Sequence, residues 1–326
     1  RKRCPRAAEL KAGLRRIKRD LESGKTQAAG TGSARVAAHA PERSVAVLYF
    51  ENLSGAKDDE YFRDGMTEDV ITELANISEI RVFPRPSVLG YRDKPAAPAQ
   101  VGRDLNAAYV LGGSLRRAGN RLRVNANLVE TATGLTIWAK RYDRELQDVF
   151  EVQDEIARKI AEALRVTLSP QEQAALAAKP TDNLQAYDLF LRGKSYARRL
   201  TRQDLEFALQ MFENSVAQDS GFALAYAAIA NVCAQYHYNY ERKKAWLERS
   251  REASRKAVSL KPQLPEVKVA QAWILYTQGE YSEAVHVAQE AIERKRDTEG
   301  AWYLMLRALF AAGRYQEVAA VAEAAI

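Results

Sequence analysis

A 34-residue period near the carboxyl end constrains the fold of this chain more than any other feature. Each repeated segment lies between two apolar patterns of helical length, so every unit holds two helices. Such units cannot bury their apolar faces alone, and they stack into a solenoid with a concave surface that binds partners. The residues that recur at this spacing are Gly279 and Gly313, Tyr281 and Tyr315, Ala288 and Ala322, Ala291 and Ala325, and, one unit earlier, Ala257 and Ala291.

The period and its residue types resemble the tetratricopeptide repeat. Gly279 and Gly313 stand where a first helix must end, because glycine adopts the left-handed cap without a side-chain clash. In the following helix, Ala284 and Ala288 keep one face small, so that two helices can approach closely. The resemblance implies an all-α solenoid over residues 180–326, with about four units and the last one truncated.

The earlier units are more degenerate. A first unit is predicted over residues 186–220, with residues 201–204 as a small insertion in its turn. In the next unit, residues 235–246 are predicted to be looser than a helix, because the first-helix spacing fades there. Irregular connections between regular helices are therefore predicted at both stretches.

The net charge of +7 is confined to one short segment. Residues 1–25 hold ten Lys or Arg against three Asp or Glu, and residues 26–326 hold equal numbers of each sign. A nucleic-acid-binding domain is expected to carry a basic stripe on its folded face. Because the bulk of the chain has no basic excess, nucleic-acid binding is not expected.

The sequence predicts a cytoplasmic protein without membrane insertion. No apolar run approaches the roughly 20 residues that cross a bilayer, and the charged start does not resemble a signal peptide. Two cysteines far apart, Cys4 and Cys233, argue against a disulfide framework. The oligomeric state stays open.

An amphipathic helix is predicted near the amino terminus, within residues 1–22. Its apolar residues fall at spacings of four, three and four: Leu10, Leu14, Ile17 and Leu21. Residues 6–20, RAAELKAGLRRIKRD, resemble the last helix of the C-lobe in bacterial serine/threonine protein kinases. The resemblance implies that the chain is the downstream part of a larger kinase. The alternative is a basic helix for a membrane surface or a partner.

Residues 23–43 are predicted to be a flexible linker, because Gly, Ser and Ala dominate and large apolar groups are scarce. The triplet Gly24-Lys25-Thr26 mimics the end of a phosphate-binding loop. That motif needs a glycine where Arg19 stands and a strand in front of it. No nucleotide site is therefore predicted there.

Residues 44–179 are predicted to be an α/β domain, a mixed sheet with flanking helices. A continuous apolar run at 45–50 indicates a strand covered on both faces. Alternation of apolar and polar residues over 121–128 indicates a sheet with one solvated face. Further strands are predicted at 79–83, 108–115 and 136–139, and helices at 100–106 and 146–168. Another helix is predicted to begin after Asp58 or Asp59, with an apolar stripe formed by Phe62, Met66, Val70 and Leu74.

Residues 112–124, GGSLRRAGNRLRV, carry a second resemblance, together with Thr133-Gly134, Trp138-Ala139 and 141–143. They are similar to the TolB amino-terminal-like (FlgO-like) domain. In bacteria that module recurs between a signalling output domain, either a protein kinase or a nucleotide cyclase, and tetratricopeptide repeats. The resemblance implies a regulatory, sensor or assembly role and supplies no catalytic residues.

No catalytic, metal or cofactor site is predicted. The three histidines, His39, His237 and His286, lack metal-ligand spacing. The glycine pair at 112–113 does not open a helix, so it is not a dinucleotide fingerprint. The glycine-rich loop, strand lysine and catalytic-loop aspartate of kinases are absent. The chain itself is therefore expected not to be an enzyme.

The concave face of the repeats is the main predicted site, for an internal or extended peptide segment of a partner protein. Aromatic and arginine side chains are the usual anchors of such interfaces. The carboxylate clamp of some repeat families is unmatched, because Ala227 stands one turn before Asn231. The alternative is that Trp273 and Tyr276 only pack between repeats. The predicted groove residues are Asn231, Gln235, Trp273, Tyr276, Tyr303 and Arg307.

A second candidate site is the loop that follows the first strand, at Asn52, Ser54 and Gly55. Ligands of open α/β sheets bind at the carboxyl ends of strands, and backbone N–H groups at a helix start favour anions. A small-molecule signal could bind there. The alternative is a plain strand-to-helix turn.

The sequence thus predicts a non-catalytic regulatory and scaffolding region of a bacterial signalling protein, attached to a serine/threonine kinase. It would recruit proteins through its repeats and transmit state through the α/β domain. One alternative attaches the same modules to a class III nucleotide cyclase. Another is a small-ligand sensor in which the repeats are only structural.

Overall fold

A mixed sheet with flanking helices precedes a series of paired helices, as the sequence predicts. The structure is a computed structural model that describes residues 42–54, 59–94, 96–296, 298 and 300–324. The predictions for the helix within 1–22 and for the linker as far as residue 41 lie outside the described residues. No helix within the described ranges is long and apolar enough to cross a membrane.

The sheet has the strand order β3-β1-β4-β5-β6, with β2 paired to β4 as well. The pairs of β1 with β3 and with β4 are parallel, and those of β5 with β4 and β6 are antiparallel. All four residues of β1 are buried, whereas β5 buries alternate residues, which explains the two apolar patterns. The strands are β1 Ser44–Val47, β2 Glu51–Asn52, β3 Arg81–Val82, β4 Tyr109–Ala118, β5 Arg121–Glu130 and β6 Thr136–Glu145.

The α/β half contains a long helix on which Met66, Val70 and the other predicted stripe residues are buried. The helix begins directly after Asp59, as predicted, although the Asp59 side chain makes no capping hydrogen bond. Asp58 lies outside the described residues. The helices of this half are α1 Glu60–Ala75, α2 Arg85–Val88, α3 Pro98–Leu105, α4 Val149–Ala163 and α5 Pro170–Leu176.

The prediction of one helix over residues 146–168 is wrong. The helix α4 ends at Ala163, and Arg165 adopts a left-handed φ of 56° that no helix can contain. A new helix, α5, then begins with a capping box, in which the Ser169 hydroxyl accepts from the Glu172 N–H and the Glu172 side chain accepts from the Ser169 N–H.

Four helical hairpins follow in the repeat half, in agreement with the period. The left-handed Gly279 (φ 86°) ends the first helix of the third hairpin, as predicted. Gly193 is needed for another reason, since an added Cβ would lie 2.4 Å from Cε1 of Phe212. The helices are α6 Leu184–Ala197, α7 Arg202–Gln218, α8 Ala223–Asn239, α9 Lys244–Leu260, α10 Pro265–Gln278, α11 Tyr281–Arg294, α12 Ala301–Ala311 and α13 Tyr315–Ala324.

Both irregular connections predicted for the early repeats are more regular than expected. Thr201 is the N-cap of α7 and accepts a hydrogen bond from the Asp204 N–H, so residues 201–204 begin a helix and are not an insertion. The stretch predicted to be loose from Gln235 is helical as far as Asn239, and α9 starts at Lys244. Apolar burial of α8 against α9 overrides the weaker local pattern.

One hydrophobic core runs from the sheet into the repeats. A single cluster of buried side chains extends from Val45 on β1 through Leu191 on α6 to Ala270 on α10. A separate cluster around Trp273 and Leu304 holds the last two hairpins together. The α/β half and the first repeats are therefore packed as one body.

Candidate functional site

A groove of about 1710 Å³ lies between the α/β half and the repeats. One wall belongs to α1 and carries Glu68, Asp69 and Glu73. The opposite wall comes from first helices of the repeat units, with Val232 on α8 and Tyr303 on α12 among its residues. The groove therefore needs both halves of the chain.

The packing of α1 against α6 fixes the two walls relative to each other. An added Cβ at Gly65 would lie 2.6 Å from Cδ2 of Leu191, so the absence of a side chain allows the two helices to approach closely. A polar bridge lies nearby, where Asp188 of α6 accepts hydrogen bonds from the Tyr61 hydroxyl at 2.8 Å and from Arg117 Nη1 at 2.7 Å. The contact joins α1, β4 and the first repeat.

Glu68 is a buried carboxylate at this interface. It accepts from Arg85 Nε at 2.9 Å, from Lys194 Nζ at 3.3 Å and from the Arg198 guanidinium. Burial alone would raise the pKa of Glu68, but the three cations hold it at about 2. Glu68 is therefore ionised at neutral pH and ties α1 to α6.

Asp69, the next residue on α1, has uncharged hydrogen-bond partners. It accepts from the Tyr187 hydroxyl on α6 and from Gln153 Nε2 on α4, the latter at 3.2 Å. Burial is the main reason that the pKa of Asp69 is raised. Three helices thus meet at this side chain.

Glu73 lies one turn further along the same wall. Burial, followed by the charges of Asp69 and Asp154, raises the pKa of Glu73 to about 8, against a smaller opposing effect of Lys295. Its Oε2 is shielded from solvent and has no hydrogen-bond partner in the described part of the chain. The groove therefore contains a carboxyl group that is largely protonated at neutral pH.

We expect the stability of the chain to fall between pH 5 and 8 because of Glu73. The folded state keeps the proton up to a pKa of about 8, whereas the unfolded chain releases it near the ordinary pKa of a glutamate, 4.5. Stability is therefore greatest below the unfolded value and is lost as pH rises through the folded one.

Thermal unfolding at several pH values measures this effect. The substitution Glu73→Gln should flatten the decline, whereas Glu283→Gln, at an exposed position on α11, should leave it unchanged. An unaltered decline in Glu73→Gln would show that another group causes it.

The structure divides the six predicted groove residues into two sets. Asn231, Gln235 and Tyr303 line the groove. The Asn231 Oδ1 atom is shielded from solvent and lacks a hydrogen-bond partner among the residues that are described. Their role in binding a partner stays a prediction. The acidic residues of the α1 wall were missed, because nothing in the local sequence shows that α1 faces the repeats.

The other three residues, Trp273, Tyr276 and Arg307, form a cluster of rings around a guanidinium. Trp273 is 1% exposed and stacks on Tyr238, with ring centroids 5.7 Å apart. The Arg307 Cζ lies 4.8 Å from the Tyr238 ring centroid and 5.6 Å from that of Tyr276. Its Nη1 donates to the Tyr303 hydroxyl at 2.6 Å. The burial of Trp273 favours the alternative that it packs between repeats.

The predicted ligand loop is partly a strand. Asn52, predicted to lie in the loop after the first strand, pairs with Leu115 as the end of β2. Its Oδ1 accepts from the Ser54 N–H at 3.0 Å, and the Ser54 hydroxyl accepts from the Arg117 N–H at 2.9 Å. Gly55 lies outside the described residues. Ligand binding at this loop stays a prediction.

The thiol of Cys233 is unsuited to nucleophilic chemistry. It is fully buried on α8, and burial raises its pKa to about 12. Within the ranges that the structure describes, no group of three or more His, Cys, Asp or Glu could hold a metal ion.

Comparison with known proteins gives one curated relative and one family model. The chain is 40% identical over 187 residues to a protein of Rhizobium meliloti (strain 1021) named "Putative adenylate cyclase 3". The match covers 57% of this chain and 32% of the relative, so the chain spans about a third of the relative's length. The family model described as "Anaphase-promoting complex, cyclosome, subunit 3" matches residues 234–325, within the repeat half.

Solved structures show limited similarity. TolB from Acinetobacter baumannii is similar over 37% of this chain and 28% of its own, with 13% identity and a TM-score of 0.28. The LpoB C-terminal domain from Salmonella enterica is similar over 37% of this chain and 90% of its own, with 18% identity and a TM-score of 0.26. Similarity of this extent carries no conclusion for this chain.

Proposed function

We propose that this chain is a non-catalytic regulatory and scaffolding region that holds an extended segment of a partner protein in the groove between α1 and the repeats. The observation that carries the proposal is the groove itself, which is walled by first helices of the repeat units and by α1. Arrays of this kind use their concave surface to bind other proteins.

The size of the groove supports a peptide segment over a small molecule. Pockets for small ligands hold about 300–1000 Å³, and this groove holds about 1710 Å³. Gln235 on α8 lines the groove, and its carboxamide can both donate to and accept from a peptide backbone. Apolar side chains such as Val232 and Leu264 line the space between the polar groups.

The α/β half is proposed to transmit the state of the groove. The close approach of Gly65 to Leu191 and the ion pairs of Glu68 make α1 and α6 move together. A partner that shifts the first repeat therefore shifts α1 and the sheet behind it. This is the physical basis for a regulatory role of the α/β half.

We propose the identity of the signalling domain that this region would serve from sequence similarity. Residues 6–20 resemble the end of a serine/threonine kinase lobe, which is the first candidate. A nucleotide cyclase is the second candidate, and the 40% identity to a protein named as an adenylate cyclase favours it. Kinase and cyclase motifs differ, so finding either set in the same gene product would distinguish the two candidates.

Selection from a random peptide library on the 326-residue chain tests the groove. We expect selected peptides to bind at least about tenfold more weakly to Ala228→Arg, because Ala228 lines the groove and the long cation would fill it. Fluorescence anisotropy with a labelled peptide measures the affinity.

The matched control is Ala132→Arg, at an exposed alanine in the turn between β5 and β6. Its affinity should equal that of the unsubstituted chain. Equal binding to Ala228→Arg, with the fold of that variant intact by circular dichroism, would refute the groove as the site.

A further inference from the structure

The faces that α8 and α12 turn to the groove continue beyond it. On α8, Tyr238 follows the groove residues Asn231 and Gln235 at helical spacings of four and three, so the three side chains lie along one face. On α12, Arg307 follows the groove residue Tyr303 by four positions. The two faces meet, since the Arg307 Cζ lies 4.8 Å from the Tyr238 ring centroid. A segment that extends from the groove along these helices therefore reaches Arg307.

Arg307 is a half-buried cation among aromatic rings. Besides the ring of α8, its Cζ lies 5.4 Å from the Tyr303 ring centroid, 5.6 Å from that of Tyr276 and 6.0 Å from that of Trp273. Rings stabilise a guanidinium but carry no charge that neutralises it. Among the residues that the structure describes, its hydrogen-bond partners are the hydroxyls of Tyr303 and Tyr276, and no carboxylate pairs with it.

A second arginine adds positive charge beside this cluster. Arg242 follows the end of α8 and is exposed. Burial, followed by Tyr276, raises the pKa of Tyr238. The charges of Arg307 and Arg242 both lower that pKa, so the two guanidinium groups act on the same hydroxyl. An anion is therefore attracted to this place.

The guanidinium and the Tyr303 hydroxyl keep hydrogen-bond donors for a ligand. An arginine has five N–H groups, and the Nη1 of Arg307 donates to the Tyr303 hydroxyl at 2.6 Å. Because the Tyr303 oxygen accepts that bond, its own proton stays available, with no acceptor for it among the described residues. Tyr303 is 43% exposed, so a ligand can approach it from solvent. Donors of this kind suit an oxyanion.

We infer that Arg307 and Tyr303 bind the side-chain carboxylate of an aspartate or glutamate in the extended partner segment. The inference rests on the proposed function, which places that segment in the groove, and adds the chemistry of one of its residues. The single guanidinium held by the rings matches the single charge of a carboxylate, whereas a phosphorylated side chain carries about −1.5 to −2. Arginine and carboxylate form charge-assisted hydrogen bonds, which are stronger than neutral ones.

Peptides selected from a random library on the 326-residue chain test the inference. We expect Asp or Glu to be enriched at one position of the peptides that Ala228→Arg weakens. Replacing that residue by Asn or Gln should weaken binding to the unsubstituted chain about tenfold, because a hydrogen bond to a charged group is lost. The variant Arg307→Gln should bind the acidic peptide and its amide form equally well. Fluorescence anisotropy measures the four affinities.

A second variant serves if Arg307→Gln fails to fold. Tyr303→Phe removes only the hydroxyl of an exposed side chain and should weaken the acidic peptide about threefold more than its amide form. The matched control is Arg255→Gln, at an exposed arginine on α9, which should bind both peptides like the unsubstituted chain.

The outcomes separate this inference from the proposed function. Peptides that Ala228→Arg weakens, but that need neither an acidic residue nor Arg307, overturn the inference and leave the groove in place. Acidic peptides that need Arg307 and ignore Ala228→Arg support the arginine site and refute the groove. A phosphoserine at the acidic position that binds at least about tenfold more tightly overturns the inference of a carboxylate. A library that yields no binding peptide overturns both proposals.

Discussion

Replacing Trp273 by alanine should destabilise the chain by about 3–5 kcal/mol, the usual cost of removing a large buried aromatic side chain. Trp273 is 1% exposed and belongs to the cluster that holds the last two hairpins together. The substitution also removes three ring contacts, to Tyr238, Tyr276 and Tyr303, and one of the rings around Arg307. Urea unfolding monitored by circular dichroism measures the loss.

The variant Trp273→Phe separates the contribution of the aromatic ring to stability from that of the indole N–H. The Nε1 atom is buried without a hydrogen-bond partner among the described residues, and an orphaned donor is itself unfavourable. Phenylalanine keeps the ring contact and omits that donor, so we expect it to cost clearly less than alanine. Tyr315→Ala, at a side chain that is 42% exposed, should change stability by less than about 1 kcal/mol. A similar small loss for Trp273→Ala would contradict the structure.

The elements that the sequence predicts well are those specified by local signals. The 34-residue period, the left-handed cap at Gly279 and the stripe of α1 each depend on residues a few positions apart. These signals determine which face is apolar and where a helix ends, whatever lies opposite. The repeats and the mixed sheet could therefore be predicted without knowledge of tertiary contacts.

Helix boundaries in the middle of the chain were missed although signals exist. Ser169, Pro170 and Glu172 form the pattern of a capping box with proline in the first turn, which marks a helix start. Thr201 and Asp204 give the same kind of signal for α7. The left-handed Arg165 has no such signal, because arginine shows no preference for that conformation.

The second wall of the groove could not be predicted. Glu68 and its partners Lys194 and Arg198 are more than 120 positions apart in the sequence, and no periodicity connects them. The tertiary contacts between α1 and α6, with Gly65 packed against Leu191, bring them together. For the same reason the sequence did not show that Trp273 is buried by Tyr238, a residue of the preceding hairpin.

Removing the Glu68 carboxylate should have an effect as large as that of Trp273. The side chain is 8% exposed, and its negative charge pairs with Arg85, Lys194 and Arg198 and so offsets their mutual repulsion at the interface of α1 and α6. Removal of one member of a buried ion pair costs about 3–5 kcal/mol, because the remaining charges stay buried without compensation. We therefore expect Glu68→Ala to loosen α1 from the first repeat.

The pH dependence of stability distinguishes the effect of the Glu68 charge from the effect of its packing. The pKa of Glu68 is about 2 in the folded chain against 4.5 in the unfolded one, so its contribution is complete above pH 4.5 and is lost as pH falls towards 2. At neutral pH this amounts to on the order of 3 kcal/mol. The isosteric Glu68→Gln should abolish that acid-sensitive part, while Glu283→Ala, at an exposed carboxylate on α11, should leave it intact. An acid profile that Glu68→Gln does not alter would mean that the charge of Glu68 does not hold α1 to α6, and that the packing of Gly65 against Leu191 and the other hydrogen bonds between the two helices suffice.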